Sequence, residues 1–330
     1  MEATLSLTDK SGVADVRRRA IHMAQALGLS EKLQADAALI VTEAATNIIK
    51  YAGQGEITLK SFLEGASQGL EIIALDRGPG ITNLASARTD GYSTGGSLGA
   101  GLGTIARHSA LFDIYSVPGN GTALLARIAD SRDGALNGFQ IGAKSTPKPG
   151  QAVCGDAWGV RQIGTHLWIA LLDGLGHGPL AAEAANRAVS IFLLAELSDK
   201  PADVLRRVHQ GIKTTRGAVM AVALFDTDKR MMSFAGVGNI VGIVSSGSET
   251  EHLISTDGTV GYNMRTVRPS DVAWSKGSVF IATTDGLSTR WNLNRHPGLT
   301  DRHPSLIANV LYRDFARDAD DATIIVVKAT

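Results

Sequence analysis

The first third of the chain alternates between helical and strand-like hydrophobic patterns. Residues 1–10 are predicted to form a short strand, and apolar residues then recur at helical spacing from Ser11, as the N-cap, to Gly28, as the stop. A second helical pattern covers residues 31–51. Two strand-like runs, ITLKSFLE and GLEIIALD, follow around a glycine-containing turn, and a further helix is predicted to begin near Leu102.

A polar stretch without periodicity, ADSRDGALNG at residues 129–138, is typical of a linker. After it, VMAVALFD, MMSFAGVGN and VGIVSS are short strands at regular spacing, as two packed antiparallel sheets require. We therefore predict two domains, 1–128 and 139–330, because 330 residues suffice for two separate cores. Helices predicted to cover the outside of the second domain span residues 179–197, 201–215 and 303–316.

Composition excludes several classes of partner. Lysine plus arginine equals aspartate plus glutamate at 32 each, so no net charge drives binding to nucleic acid or to an anionic membrane. The single cysteine excludes an internal disulfide framework and suits a reducing cytosol. The N-terminus lacks a signal-like pattern, and no apolar run reaches about 18 residues. We expect a cytoplasmic protein.

One stretch changes character twice within a short length. The apolar run Trp168–Leu172 has the length of a buried strand, and strong helix formers follow at residues 181–194. Between them, Asp173 is followed by glycines at alternate positions from 174 to 178, which permit sharp turns and let main-chain carbonyls approach an ion. Asp173 is therefore predicted to lie at a rigid strand tip.

An isolated aspartate at a strand end is usually an ordinary helix N-cap. Other acids, however, occupy similar positions in VCGDAW, VFIATTDGLS and RDADDATIIVV. Four acidic strand ends are more than helix capping alone would explain. Clustered carboxylates would also repel one another unless cations neutralised them. The acids predicted to lie at these strand ends are Asp156, Asp285, and Asp320 with Asp321.

The order GD, DGxGHG, TDG and DDxT resembles the PPM-type metal-dependent protein phosphatases, specifically the bacterial branch of SpoIIE and RsbX. The resemblance covers residues 138–330 and implies an α-β-β-α sandwich. It also implies that Asp173 bridges two Mn²⁺ or Mg²⁺ ions and is the central catalytic carboxylate. The other implied ligands are the carbonyl of Gly174, Asp285, Asp320 and, through water, Asp156.

Two further side chains beside these acids have ordinary interpretations. Cys154 is expected to be a small buried hydrophobic residue. His177, in GHG, is expected to support the site structurally, because carboxylates and water already suit Mg²⁺ or Mn²⁺; direct ligation is the alternative.

Three motifs in the first domain combine polar groups with glycines. Glu43 and Asn47 in EAATN are four residues apart and share one helix face, although an ordinary exposed face is the alternative. Asp76 in DRGPGI ends a strand before a tight turn. The glycines of DGYSTGGSLGAGLG lead into a helix N-terminus, which favours a phosphate, although a mobile connection is the alternative. The loop lacks the GxxxxGK[ST] pattern of a P-loop.

The series ExxxN, DxGxG and GxGxG resembles the GHKL (Bergerat) ATPases, and more closely the serine kinases of the RsbT and RsbW families, which phosphorylate STAS-domain regulators. The likeness spans residues 5–128 and implies an α/β sandwich that binds ATP. It implies that Asn47 holds Mg²⁺ and that Glu43 orients or deprotonates the substrate hydroxyl. The residues implied to contact adenine or phosphates are Asp76, Gly78, Gly80, Gly99, Gly101, Gly103 and Thr122.

Together the resemblances imply an α/β (α+β) protein, with a GHKL sandwich followed by a PPM sandwich. They imply a bifunctional protein serine/threonine kinase and phosphatase that acts on a STAS-domain partner, of the anti-anti-sigma type, in bacterial partner switching. In an alternative hypothesis, the N-terminal domain only binds ATP or a partner and thereby regulates the phosphatase. A phosphatase for small molecules is a more distant alternative.

Overall fold

The computed structural model describes six ranges of the chain, within which the fold divides into two compact units. No helix in these ranges is long and apolar enough to cross a membrane. The described ranges are 1–65, 67–84, 101–130, 138–247, 249–317 and 319–330. The first unit comprises Met1–Leu136 and Leu293–Val310, and the second comprises Asn137–Asn292 and Leu311–Thr330. The linker predicted at 129–138 stays a prediction, since residues 131–137 lie outside the described ranges.

Five strands of the first unit form a single sheet. They are β1 (Glu2–Leu7), β2 (Gly55–Glu64), β3 (Ser67–Asp76), β4 (Leu111–Ser116) and β5 (Thr122–Ala129). Their order across the sheet is β1-β2-β3-β5-β4, and each neighbouring pair is antiparallel. Alternate apolar residues of the two predicted central strands, among them Ile57, Leu59, Leu70 and Ile72, are buried in one core with apolar residues of the helices.

In the described part of residues 1–136, the helices that the structure shows are α1 (Ser11–Ala26), α2 (Glu31–Asn47) and α3 (Gly101–His108). The helix predicted for residues 31–51 is thus an α-helix only as far as Asn47, and residues 48–52 form a π-helical turn. Ser11 was predicted as an N-cap, and this was wrong: Ser11 is the first helical residue, and its N–H donates to Asp9 at 2.7 Å. Gly28 does stop α1, with a φ of 71°.

The described residues of the second unit form ten strands in two five-stranded sheets. They are β6 (Phe139–Thr146), β7 (Asp156–Ile163), β8 (His166–Gly174), β9 (Ala218–Asp226), β10 (Met231–Val237), β11 (Val241–Ser246), β12 (Glu249–Leu253), β13 (Ser270–Ala273), β14 (Val279–Thr283) and β15 (Ala322–Ala329). One sheet has the order β13-β10-β9-β8-β7 and the other β12-β11-β14-β15-β6. All the pairings are antiparallel.

Aromatic rings join the two sheets face to face. The ring of Phe225 on β9 lies 5.8 Å from that of Phe139 on β6 and 5.5 Å from that of Phe280 on β14, centroid to centroid. Such edge-on contacts fill the space between sheets with rigid apolar groups. The sandwich that regular strand spacing predicted is therefore present.

Three helices follow β8 along the chain: α4 (Pro179–Phe192), α5 (Pro201–Gly211) and α6 (Pro304–Phe315). Apolar side chains of α4 and α5, among them Phe192 and Leu205, share a buried core with Trp168 on β8. These two helices therefore cover the sheet that carries β8. Helix α4 ends five residues earlier than predicted, and α5 ends four residues earlier. Hydrogen bonds of the 3₁₀ type, such as that from Leu194 N–H to Ile191 O, close the end of α4.

Candidate functional site

The acids of the second unit lie at strand ends that the two sheets bring together. Asp156 begins β7 and Asp173 lies near the end of β8, and the antiparallel register sets them directly opposite each other. Asp285 follows β14, and Asp320 and Asp321 precede β15, which pairs with β14. All four other carboxylates act electrostatically on Asp173, so the predicted cluster is present.

Burial and mutual repulsion make these carboxylates difficult to ionise in the absence of cations. Burial, followed by the charges of Asp156 and Asp285, raises the pKa of Asp173 to about 8. Burial also raises the pKa of Asp156 to about 7, although a hydrogen bond from Thr284 opposes the shift. A bound cation stabilises the ionised carboxylates, and this stabilisation is largest in a cluster whose acids are difficult to ionise without it.

Two buried carboxylate oxygens also indicate a cation-binding site. Within the described ranges, Oδ1 of Asp156 and Oδ2 of Asp321 are buried without a hydrogen-bond partner. The second oxygen of each is held: Thr284 Oγ1 donates to Asp156 Oδ2 at 2.8 Å, and the N–H of Lys148 donates to Asp321 Oδ1 at 2.9 Å. Each carboxylate is thus oriented by one oxygen and offers the other, which fits a hard divalent cation.

The carboxylates do not by themselves form a closed cage. In the part of the chain that is described, no group of three or more acids, histidines or cysteines is arranged as a complete metal-ligand set. Mg²⁺ and Mn²⁺ commonly keep water in several coordination positions, so an open carboxylate cluster is compatible with them. The site therefore fits ions that retain water, and it does not fit a zinc-type cage of side chains.

Three glycines allow the strand ends to approach closely. A methyl group on Gly155 would lie 2.7 Å from Oδ2 of Asp321, and one on Gly286 would lie 2.0 Å from the main-chain oxygen of Asp321. A methyl group on Gly174 would lie 2.1 Å from the carbonyl oxygen of Ala181, at the start of α4. Any side chain at these positions would force the strand tips apart. The role of the Gly174 carbonyl as a metal ligand stays a prediction.

The structure adds residues that the motifs did not indicate. Nδ2 of Asn239 donates to Oδ2 of Asp285 at 2.8 Å, and Thr284 supports Asp156 as described. Asp320, the predicted ligand, is exposed and accepts the N–H of Asp321 at 2.9 Å, whereas Asp321 is buried. Asn239 follows the end of β10, and that strand-end position was the only signal available for it.

Cys154 and His177 lie close in sequence to Asp156 and Asp173. Burial, followed by the charge of Asp156, raises the pKa of the Cys154 thiol to about 12, so the group is a neutral thiol near neutral pH. It is half-buried and donates to the Thr146 carbonyl at 3.5 Å. His177 is exposed, and its supporting role stays a prediction.

In the first unit, Glu43 and Asn47 lie one helical turn apart near the end of α2, against the start of α3. A methyl group on Gly101 would be 3.1 Å from Oε2 of Glu43 and 3.4 Å from Nδ2 of Asn47. The helix N-terminus that the glycine loop feeds is therefore beside the predicted acid and amide. Gly103 is buried on the same helix, while Gly99 lies outside the described residues.

Asp76 is held at the end of β3 by two main-chain donors. Its Oδ1 accepts the N–H of Gly78 at 2.8 Å and the N–H of Thr122 at 3.1 Å. A methyl group on Gly78 would meet the Ala52 Cβ at 2.6 Å, and Gly80 has a φ of 70° with Val117 O only 2.3 Å from its virtual Cβ. The glycines and Thr122 therefore fix the orientation of the Asp76 carboxylate.

Two family models match the chain. The model for SpoIIE, stage II sporulation protein E, matches residues 163–330, and a model for a histidine kinase-like ATPase domain matches residues 7–128. Among curated proteins, the serine/threonine-protein kinase RsbT of Bacillus subtilis is 38% identical over 114 residues, 34% of this chain and 86% of RsbT. The phosphoserine phosphatase RsbX of the same organism is 29% identical over 142 residues, 43% of this chain and 71% of RsbX.

Two solved structures are similar to more than half of the chain. RsbX in complex with magnesium has 25% identity and a TM-score of 0.51, over 58% of this chain and 96% of that one. A chain from the bacterial stressosome, described as a modular system adapted to control secondary messenger signalling, has 25% identity and a TM-score of 0.54. It matches 58% of this chain over 99% of its own length.

Proposed function

Because this chain belongs to the SpoIIE family, and its N-terminal part to the family of the kinase RsbT, we propose that it both adds and removes phosphate on a partner protein. The fusion indicated by the motifs is confirmed, as is the α/β fold with a GHKL-like ATPase part and a PP2C-like phosphatase part. The similarity to a serine/threonine-protein kinase, a phosphoserine phosphatase and a stressosome chain supports a role in partner-switching regulation. The proposal has three parts: phosphorylation of the partner by this chain, dephosphorylation of the partner by this chain, and the identity of the partner.

The observation that carries the phosphatase proposal is the pair of unpartnered carboxylate oxygens, on Asp156 and Asp321, beside Asp173. Bound Mg²⁺ or Mn²⁺ would supply charge neutralisation and an activated water for hydrolysis of a phosphoester. Thr284 and Asn239 orient the carboxylates of Asp156 and Asp285 through hydrogen bonds of 2.8 Å each. The residues proposed to hold the ions are Asp156, Asp173, the Gly174 carbonyl, Asp285, Asp320 and Asp321.

The kinase proposal rests on the position of Glu43 and Asn47 at the start of α3. Bound ATP would supply the phosphoryl group and, with Mg²⁺ held by Asn47, a nearby cation. Glu43 would accept the proton of the attacking serine or threonine hydroxyl at Oε2, which faces Gly101. Asp76, oriented by Gly78 and Thr122, would accept a hydrogen bond from the adenine amino group through its other oxygen.

The proposed substrate is a serine or threonine on a STAS-domain protein of the anti-anti-sigma type. This proposal is supported by the activities of the two relatives, a serine/threonine-protein kinase and a phosphoserine phosphatase. We further propose domain limits at 1–128 and 139–330, with 129–138 as the linker, and a cytoplasmic location.

The test uses the full chain with γ-labelled ATP, Mg²⁺ and a STAS-domain protein. We expect label to appear on the STAS-domain protein, and to be removed again when Mn²⁺ and unlabelled chase are added. Hydrolysis of a phosphopeptide should stop in EDTA and in Asp173→Asn. If ATP binds but no label is transferred by wild type or by Asp173→Asn, the N-terminal part only regulates the phosphatase, and the kinase proposal is wrong.

A further inference from the structure

Arg216 lies beside the turn that follows Asp173. The register pairs Asp173 with Val219 and Gly174 with Ala218, so the residues just before β9 continue alongside the turn after β8. The N–H of Leu175 donates to the carbonyl of Gly217 at 3.1 Å, which extends that alignment. The chain therefore carries Arg216 to the strand end where the carboxylates gather.

The guanidinium group of Arg216 reaches the glycine turn itself. A methyl group on Gly176 would lie 3.1 Å from a terminal nitrogen of Arg216. Gly176 has a φ of 90°, a conformation that glycine adopts without strain. The absence of a side chain at this position thus leaves room for the arginine head group, three residues beyond the central aspartate.

Hydrogen bonds fix the segment before β9, whereas the arginine head group has no hydrogen-bond or ion-pair partner in the described ranges. Nη1 of Arg187 donates to Thr214 Oγ1 at 3.0 Å, and the N–H of Gly217 donates to Thr215 Oγ1 at 3.1 Å. Among the residues that the structure describes, Arg216 makes no hydrogen bond or ion pair. Arg206 and Arg207 on the neighbouring helix, in contrast, are both paired with aspartates.

An exposed arginine that has no hydrogen-bond or ion-pair partner among the described residues, on the turn that follows one of the clustered carboxylates, has the chemistry of an anion-binding group. We propose that Arg216 binds the phosphoryl group of the phosphoester substrate, a step that rests on the proposed phosphatase function. Its planar group can donate two parallel N–H bonds to two phosphate oxygens, which a carboxylate cluster cannot provide. It would select a phosphate monoester over a neutral or singly charged ester, because those offer fewer anionic oxygens.

The test compares Arg216→Gln and Arg216→Lys with Arg206→Gln, which removes the same charge from a surface pair on α5. Binding of inorganic phosphate to the Mg²⁺-loaded full chain is measured by calorimetry, and hydrolysis of p-nitrophenyl phosphate gives kcat and KM. We expect Arg216→Gln to weaken phosphate binding and to raise KM by about 10- to 100-fold, the usual effect of losing a charge-assisted hydrogen bond. Arg216→Lys should recover part of the loss, and Arg206→Gln should match wild type.

The calorimetric readout separates this inference from the proposed function. If wild type does not hydrolyse phosphoesters with any divalent metal, the phosphatase proposal fails, while phosphate binding still tests Arg216. If Arg216→Gln binds phosphate as wild type does, or changes only the Mg²⁺ concentration needed for activity, the assignment of Arg216 is wrong. Because Arg216 is exposed and makes no hydrogen bond or ion pair with the described residues, both Arg216 variants should keep the wild-type thermal unfolding midpoint.

Discussion

Asp156 and Asp173 are direct cross-strand partners in the β7–β8 ladder of the second unit. Opposed residues of an antiparallel pair have Cβ atoms about 5 Å apart, and like charges at such positions destabilise a sheet. Burial makes the arrangement more costly, because it disfavours both charged forms. A fold that retains this pair gains stability when a cation binds, so the interaction of cations with the cluster should be visible in stability as well as in activity.

The first prediction concerns the pH dependence of stability. Burial raises the folded-state pKa of Asp173 to about 8 and that of Asp156 to about 7, against an unfolded value of about 3.9. Between these values the folded state binds more protons than the unfolded state, so metal-free protein should lose stability as pH rises from about 4 to about 8. Mg²⁺ should remove this loss, because it neutralises the ionised carboxylates.

The measurement is the thermal unfolding midpoint in EDTA and in excess Mg²⁺, at about pH 5 and about pH 8. The gain from Mg²⁺ should be larger at the higher pH. Asp173→Asn should flatten the pH dependence in EDTA, whereas Asp271→Asn, on the exposed strand β13, should not. An equal gain from Mg²⁺ at both pH values would contradict the prediction.

The second prediction concerns Thr284. Its hydroxyl donates to Asp156 and accepts the N–H of Thr323 at 2.9 Å, so it links the two sheets at the cluster. Thr284→Val keeps the shape but removes both hydrogen bonds, and we expect an about 10- to 100-fold lower affinity for Mg²⁺ or Mn²⁺. Calorimetric titration of the metal measures this. Thr250→Val, an exposed change on β12, is the control, and unchanged affinity in Thr284→Val would remove Thr284 from the site.

The sequence predicted those parts of the sites that depend on local pattern. Asp173 and Asp76 follow apolar runs and precede glycines, so their strand-end positions were readable. Thr284 and Asn239 were missed because their roles depend on strand pairing between distant segments, which no local pattern records. The end of α2 was missed for a related reason. Residues 48–52 continue the helical pattern in the sequence, whereas the π turn that they form lies where Ile48 packs against Gly55, near the end of β3.

The third prediction concerns a buried ion network in the first unit. Arg127 on β5 donates to Glu71 at 2.7 Å and to Glu64 at 2.8 Å, and Ser305 Oγ donates to Glu71 at 3.0 Å. Burial opposes the charge of Arg127, but Glu71 and Glu64 outweigh it and raise its pKa. Arg127→Met leaves two acids without their cation and should destabilise the first unit by about 3–5 kcal/mol.

Urea unfolding followed by circular dichroism measures this loss. Arg18→Met is the matched control, because Arg18 pairs with Asp15 on an exposed helix face and should change stability by less than about 0.5 kcal/mol. A triple change, Arg127→Met with Glu64→Gln and Glu71→Gln, should recover part of the loss, since it removes the unpaired charges. Equal stability of Arg127→Met and wild type would show that the network contributes nothing.

The fourth prediction separates nucleotide binding from transfer in the first unit. Asp76→Asn keeps an oxygen for the N–H groups of Gly78 and Thr122 but replaces the other oxygen with an amide that cannot accept from adenine. Its affinity for ATP should fall by about tenfold or more. Glu43→Ala should bind ATP as wild type does and lose transfer, because its proposed contact is with the substrate hydroxyl. Calorimetry with a non-hydrolysable analogue measures binding; equal loss in both variants would show that Glu43 is misassigned.

The last prediction concerns why a kinase-like part and a phosphatase-like part share one chain. Two sites joined by a short linker stay at a high effective concentration relative to one docked partner, so a single STAS-domain protein could be phosphorylated and reset by the same molecule. With ATP and Mg²⁺ or Mn²⁺, Asp173→Asn should therefore raise the phosphate occupancy of the partner above the wild-type level, because only removal is disabled. Glu43→Ala should leave the partner unmodified, because only addition is disabled.

Intact mass spectrometry of the partner measures its occupancy over a range of enzyme concentrations. If one molecule both adds and removes the phosphate, the rates of addition and removal are both proportional to the concentration of this chain. The steady-state phosphate occupancy of the partner with wild type should therefore not depend on enzyme concentration. A mixture of Asp173→Asn and Glu43→Ala supplies both activities on separate molecules. It should approach the wild-type occupancy more slowly, because the partner must dissociate between the two steps. If wild type and Asp173→Asn reach the same steady occupancy, the phosphatase does not act on the kinase product, and the two activities serve different substrates.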